Sequence, residues 1–572
     1  MRCARILAAL IITLTAVSCG GDADKPTGVA PIEYRSIELT APVTLLTAIN
    51  DTVRVKGVAI DATGARSALP TAIWKSSNAA VLTVSSDGLV SARGNGEATI
   101  TVNLGSVSNS IVLRVQQEVS SVAIAAGAVP ALIKAIGVTT TATAAAKDRN
   151  GVAVLNAPIT WTISDTAIAS IDQTGVLRTR KTGRANVVAA SGSISASAPF
   201  EVATRITVPV DPYLATPIAG AKWEIPVVVV SYIPTADGIN VDVAKAPDFY
   251  TLNQLPLSTI ENNILDIVRR KKMAVEQGSR FRGYKDASAL PSLGIRVISY
   301  INVYELLPPS ARPGVVANTR LADWFKVFSE LGLDTLIRNR GVKQVWVSTS
   351  SFDASFPSYD PSIHNLADAR YMWESNMSSP TTGDVSNSDR FAGDLPVLGH
   401  TYVVYGLNFR RSQSEAIHNV GHQLEAQFAH ANQLFDGNTD LFWKSFVGQD
   451  NSRNFIKGRS GWTHMPPNTI TGYDYLNATP ATSDIEDWRP DGTGLKRDVS
   501  VDTWGRLSLP WPGAPEFGQR VEAQWYVYWM QNMPGLGNTI PRGSGVMTNW
   551  WWFVADWDTA IRAGTGLATV RS

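Results

Sequence analysis

Cysteine is almost missing from this 572-residue chain: there are two, Cys3 and Cys19, both near the N-terminus. Everything beyond residue 20 therefore lacks a disulfide, a thiolate nucleophile and a sulfur ligand, so a metal site there must be built from histidine and carboxylates. Charge of one sign is not in excess either. Lys and Arg number 50 against 49 Asp and Glu, which removes the positive field that non-specific phosphate binding needs and excludes nucleic acid as a partner. After the N-terminal segment no stretch approaches the roughly 18 consecutive apolar residues that span a bilayer. The motifs G-x-x-x-x-G-K-[ST], strand-flanked G-x-G-x-x-G and G-x-S-x-G are absent, which excludes nucleotide dependence and a nucleophile elbow; a Ser/His/Asp triad on another scaffold stays open.

What is present begins with an address. Arg2 and Arg5 precede an apolar run from Ile6 to Val17, too short for a mature spanning helix, and the run ends in Ala16-Val17-Ser18-Cys19-Gly20-Gly21. This is the pattern of a secretory signal over 1–18, and it resembles a bacterial lipobox, although Ala16 stands where leucine is usual. The resemblance implies lipidation at Cys19 and, with Gly20 following, an address at the outer membrane or cell surface; with Ala16 in that place, cleavage by the general signal peptidase is the alternative. Residues 19–34 then read as a linker.

Trp74 and Trp161 lie 87 residues apart, and Gly88/Gly175, Val81/Ile168, Gly96/Gly183 and Ala98/Ala185 keep that offset without a gap. Each copy has short alternating runs, such as Ala98 to Val102 and Ile159 to Ile163, between Gly, Asn and Asp turns, which predicts two antiparallel sandwiches over 35–116 and 117–204. Trp74, Ser76-Ser77-Asn78, Gly88-Leu89-Val90 and Gly96 to Ile100 resemble the bacterial Ig-like group 2 (BIG2) family. The resemblance implies Ig-like modules used as a surface stalk, with Trp74 and Trp161 as core anchors.

From 205 to 572 the pattern changes to a large α/β domain with an aromatic, loop-rich C-terminal part. Ile225 to Ile233, Gly294 to Ile301, Val342 to Val347 and Tyr402 to Leu407 predict buried strands, whereas Ser258 to Glu276 and Leu321 to Asn339 carry helical spacing. Eleven of the 17 tryptophans fall at or beyond Trp443, including Trp550-Trp551-Trp552, a run that reads as core packing or a domain lid, with a sugar-stacking platform as the alternative.

All six histidines lie at or beyond position 364. His418 and His422 are i, i+4, and at about 100° per residue Glu415 and Glu425 share their face within about 80°. Two imidazoles one turn apart can bind one Zn2+ at about 2.0 to 2.1 Å; the alternative is a solvated polar helix face. The zincin signature is incomplete, because Asn419 follows the first histidine, and the inverted signature is incomplete because Gly421 precedes the second. Glu415 or Glu425 is then the candidate base or a further ligand. His464, on the proline-stiffened loop Gly461 to Asn468, is the candidate third ligand, with Asp474 as a supporting group or base and Asn468 as a polar contact. This loop together with Tyr473-Asp474-Tyr475 is similar to uncharacterised secreted proteins, a resemblance that implies no activity. Glu305, Asp353 and Glu374 follow predicted strands, where open sheets place ligands, and a pair of them would suit glycoside hydrolysis at about 5 to 9.5 Å separation.

The resulting expectation is an exported lipoprotein with an Ig-like stalk and a zinc-dependent, peptidase-like hydrolase in which a zinc-activated water attacks a peptide, amide or sugar-linked substrate. The alternatives are a non-catalytic adhesion or polysaccharide-binding protein, and a metal-independent glycosidase using Glu305 and Glu374.

Overall fold

The computed structural model describes residues 32–245, 256–313, 319–349, 370–371, 374–387, 393–408, 413–450, 452, 454–456, 458–469, 471–507 and 521–568. The signal segment, Cys19 and Asp353 lie outside the described residues. Contacts divide the chain into two compact units: Met1–Ala123, Ala144–Thr160 and Ala189–Ala196 form one, and Ile124–Thr143, Trp161–Val188 and Ser197–Ser572 the other.

The strands Ile73–Ser76, Leu82–Val84, Leu89–Ala92, Gly96–Leu104 and Val107–Val115 recur as Thr160–Ile163, Ala169–Ile171, Val176–Thr179, Gly183–Ser191 and Ile194–Val202. Each starts 87 positions after its counterpart. In the first unit a four-stranded sheet (Leu45–Leu46, Val107–Val115, Gly96–Leu104, Ile73–Ser76) accompanies the three-stranded sheet Thr52–Arg54, Leu89–Ala92, Leu82–Val84. Alternate residues such as Ala98, Ile100 and Val102 fill the interior, as a period of two requires. The shared register has a packing cause. Gly88 (φ +80°) and Gly175 (φ +85°) sit in left-handed turns where a Cβ would press on the rings of Trp74 and Trp161 respectively, so both tryptophans pack on a turn that only glycine allows.

The second unit contains a six-stranded sheet. Its strands are β1 Arg205–Val208, β2 Trp223–Tyr232, β3 Leu293–Val303, β4 Gln344–Thr349, β5 Ser375–Ser378 and β6 Tyr402–Asn408, in the order β1-β3-β2-β4-β6-β5. The pairs β3/β2, β2/β4 and β4/β6 are parallel, and β1 and β5 close the edges antiparallel. Parallel strands are covered on both faces, and the run Val227 to Val230 shows how. Val227 and Val229 pack with Ile260, Ile264 and Val268 of helix α1 (Leu257–Gly278). Val228 and Val230 pack with Trp324, Val327 and Phe328 of α2 (Trp324–Leu331). Each such fully buried aliphatic side chain contributes about 1.5 to 3 kcal/mol.

The single helix expected over Leu321 to Asn339 is two helices. Gly332, at φ +62°, caps α2 and starts α3 (Leu333–Arg340), because a left-handed glycine ends the hydrogen-bond ladder. The C-terminal tryptophans are interior: Trp488, Trp504, Trp525, Trp529, Trp550 and Trp551 are fully buried. The sugar-platform alternative for Trp550-Trp551-Trp552 is therefore set aside in favour of core packing.

Lys271 of α1 is also fully buried, its Nζ 4.0 Å from the Tyr405 ring centroid and 4.7 Å from that of Trp346, without a hydrogen-bond acceptor. Burial holds its pKa well below the ordinary lysine range, so between that lowered pKa and the ordinary one the folded state gives up a proton that the unfolded chain keeps. The unfolded state then binds one more proton, and stability rises with pH until the ordinary lysine pKa near 10.4 is passed. Lys271→Met is expected to raise unfolding free energy by about 1 to 3 kcal/mol at neutral pH and to abolish this alkaline gain. Denaturant melts at neutral pH and near pH 10 check both; a destabilised variant refutes the assignment.

Candidate metal centre

Helix α4 (Gln413–Asp436) follows β6 directly. Ile417, Val420, Leu424 and Phe428 are buried in the core on one side, as the sequence periodicity predicts. The opposite stripe is not a solvated face: His418, His422 and Glu425 are 7%, 4% and 4% exposed. Asn419, where a zincin carries glutamate, donates from Nδ2 to Gly406 O at 2.7 Å and fastens the helix start to β6. Gly421, where the inverted signature carries glutamate, faces the loop of His464, and a Cβ there would stand 2.6 Å from Thr463 Oγ1. The first departure ties the helix to β6, and the second lets the loop approach the helix.

That loop is a tight turn. Trp462 N–H donates to Met465 O and Met465 N–H to Trp462 O, each at 3.0 Å, after Gly461 at φ +73°. Trp529 Nε1 donates to Gly461 O at 3.0 Å, so a buried tail tryptophan holds the turn from behind. The turn delivers His464 Nε2 to 2.8 Å from His422 Nε2 and 3.3 Å from His418 Nε2, and the helical pair is itself 2.9 Å apart. A tetrahedral ion with nitrogens at about 2.0 to 2.1 Å separates them by ~3.3 Å.

The outer hydrogen bonds fix which nitrogens are bare. Thr463 O can only accept; Tyr475 O–H donates to it at 3.1 Å, Tyr526 O–H donates to Tyr475 at 3.0 Å, and the Tyr526 oxygen lies 2.9 Å from His418 Nδ1. The chain therefore runs outward from an Nδ1–H and leaves the lone pair of His418 on Nε2. Glu425 acts likewise on His422, accepting from Nδ1 at 2.8 Å through Oε2, while its Oε1 accepts from Thr463 N–H at 3.0 Å and from Thr463 Oγ1. Two bare imidazole nitrogens so close repel unless a proton or a cation sits between them. Burial opposes a charge on His422, but the Glu425 charge and hydrogen bond, with Glu374 and Glu415, outweigh it and raise its pKa to about 8. Burial and the His422 charge push His464 down to about 4.

The remaining candidates separate. Glu374, just before β5, places one carboxylate oxygen 4.0 Å from His418 Nε2 and the other 4.0 Å from His422 Nε2, and Asn387 donates to Oε2 at 2.7 Å. Burial, with the charges of Glu415 and Glu425, raises its pKa against the opposing pull of His422. Glu415 is half-buried one turn before His418 and acts on Glu374 and His422 through its charge. Glu425 is 4% exposed and both its oxygens are engaged by His422 and Thr463, so it orients the His422 ring. Asp474 is half-buried and forms no hydrogen bond or ion pair with the cluster among the described residues; the tyrosines flanking it do the work expected of it. Asn468 Nδ2 ties Asn477 O and Thr479 O. Glu305 pairs loosely with Arg205 at 3.7 Å and is 44% exposed. It leaves β3, four strand spacings from β5, which is about 19 Å at about 4.8 Å each. Glu305 and Glu374 are thus too far apart for the glycosidase pair, and that alternative is corrected. His400 contacts Val342 O and His430 packs near Trp557, both outside the cluster. Sequence reasoning missed Thr463, Tyr473, Tyr475 and Tyr526. The Tyr-Asp-Tyr run was a signal for two of them.

No protein-family model matches the sequence, and no curated protein matches it. Similar solved structures include domains 1–6 of the surface-layer protein SbsC (19% identity, 30% of this chain and 28% of that one, TM-score 0.16). They also include the Escherichia coli adhesin FdeC (21%, 31% and 69%, TM-score 0.20) and a 282-residue C-terminal fragment of intimin (13%, 33% and 68%, TM-score 0.19). The chain thus spans 28% of the length of SbsC domains 1–6, and likenesses of this size say nothing about the histidine cluster. Among the described residues no helix is long and apolar enough to cross a membrane.

Glu425→Gln keeps the side-chain shape but replaces one acceptor oxygen by a donor, which breaks either the His422 or the Thr463 link. Metal affinity is expected to fall about 10- to 100-fold, read by competition with a chelating indicator. Gly421→Ala should weaken it as well by pushing Thr463 away; wild-type affinity in both variants would contradict the wiring described.

Proposed function

We propose that this is an exported surface protein whose Ig-like repeats carry a C-terminal α/β domain in which His418, His422 and His464 hold one divalent zinc ion for hydrolysis of a peptide or other amide bond. The supporting observation is the convergence of three Nε2 atoms within 2.8 to 3.3 Å, two of them with lone pairs aimed inward by their outer partners. A zinc ion held there supplies polarisation of a carbonyl and acidification of a water. Glu374, the carboxylate beside two of the three nitrogens on their open side, takes the proton of the attacking water and returns it to the leaving amine, a role its raised pKa suits. Glu425 and the tyrosine chain keep the imidazoles oriented. Lipidation at Cys19 would tether the protein to the envelope, with the repeats as spacer.

Elemental analysis of the purified chain and of a His418→Ala/His422→Ala variant tests this reading. About one zinc per chain is expected in the first and none in the second; equal, sub-stoichiometric zinc in both removes the hydrolase.

The tandem repeats support a second reading, a non-catalytic adhesion or polysaccharide-binding protein at a cell surface; a surface-layer protein and an adhesin are among the similar solved structures. Binding to polysaccharide or to a cell surface that survives both chelation and the double histidine change would favour it.

A further inference from the structure

Tyr473 combines three features that packing alone does not explain. Its backbone is left-handed, φ +66°, a conformation unfavourable for a bulky residue. Its side chain is 61% exposed, so burial returns little. Its hydroxyl is 2.9 Å from His464 Nε2, and its ring lies 4.3 Å from the His464 ring and nearly parallel to that of His418, at 13°. Tyr473 N–H donates to His464 O at 2.7 Å, which locks the strained residue to the ligand it covers.

The two sides of the cluster are chemically unlike. Glu374 puts an acceptor beside His418 and His422; Tyr473 puts a donor beside His464. Hydrolysis of an acyl bond needs both, an acceptor for the water's proton and a donor for the carbonyl oxygen as negative charge builds on it. We propose that Tyr473 is the hydrogen-bond donor for the anionic oxygen of an acyl ligand on the open side of the histidine centre. The inference rests on the metal-centre reading and adds to it the group that meets the carbonyl oxygen of the amide.

The test uses the full chain and Tyr473→Phe, each loaded with Co2+, with acetohydroxamate as probe. Metal content, metal affinity and hydroxamate affinity are measured separately, the last from the visible spectrum of the cobalt. Both proteins are expected to bind one cobalt with equal affinity and to melt alike, while the hydroxamate Kd of the variant rises about tenfold, as loss of one hydrogen bond to a charged oxygen implies. Equal hydroxamate affinity overturns the donor role. Weakened cobalt binding in the variant also overturns it, by making Tyr473 a metal ligand. Failure of the wild-type chain to bind cobalt overturns the centre itself and Tyr473's role with it.

Discussion

One carboxylate ties the centre together. Glu425 is 4% exposed, and a polar group so buried is tolerated only with its oxygens engaged. One oxygen is engaged by His422 Nδ1 and the other by Thr463 N–H and hydroxyl, so a single side chain joins the helix that supplies two histidines to the loop that supplies the third. The Tyr526-Tyr475 chain ends on Thr463 O and makes the same residue the anchor for His418. Thr463 thus meets the partners of both helical histidines, Glu425 directly and Tyr526 through Tyr475.

The aromatic C-terminal part gains its meaning from this wiring. Trp529 Nε1 donates to Gly461 O, and Trp504 Nε1 donates to Tyr475 O at 3.1 Å. Buried indoles thus satisfy loop carbonyls while their rings fill the core, which lets a loop of irregular backbone hold a side chain as firmly as a helix does. The hydrophobic content of the tail and the geometry of the His464 turn are one design feature seen from two sides.

The repeats obey a different economy. Their identical offset persists because each tryptophan rests on a left-handed glycine turn, and insertion of a residue between them would move the ring off its seat. Among the described residues the group that could hold a metal lies in the other part of the chain, beside the six-stranded sheet.

Local periodicity made several features legible in the sequence. The 87-residue repeat, the buried parallel strands, the amphipathic helix and the His418/His422 pair all follow from contacts within a few residues or from a fixed backbone period, which sequence spacing encodes. The His464 loop was legible as a rigid segment because proline fixes φ. Only the tertiary structure decided where the three glutamates stand: Glu425 and Glu415 share a helix face with the histidines, whereas Glu374, just before β5, brings its two oxygens to 4.0 Å from His418 Nε2 and His422 Nε2. Only the tertiary structure brought Tyr526 to His418, across 108 positions, and so set the tautomer that points a lone pair inward. Hydrogen-bond direction depends on which groups meet in space, and a chain folded through a six-stranded sheet brings together groups that no periodicity of its sequence relates.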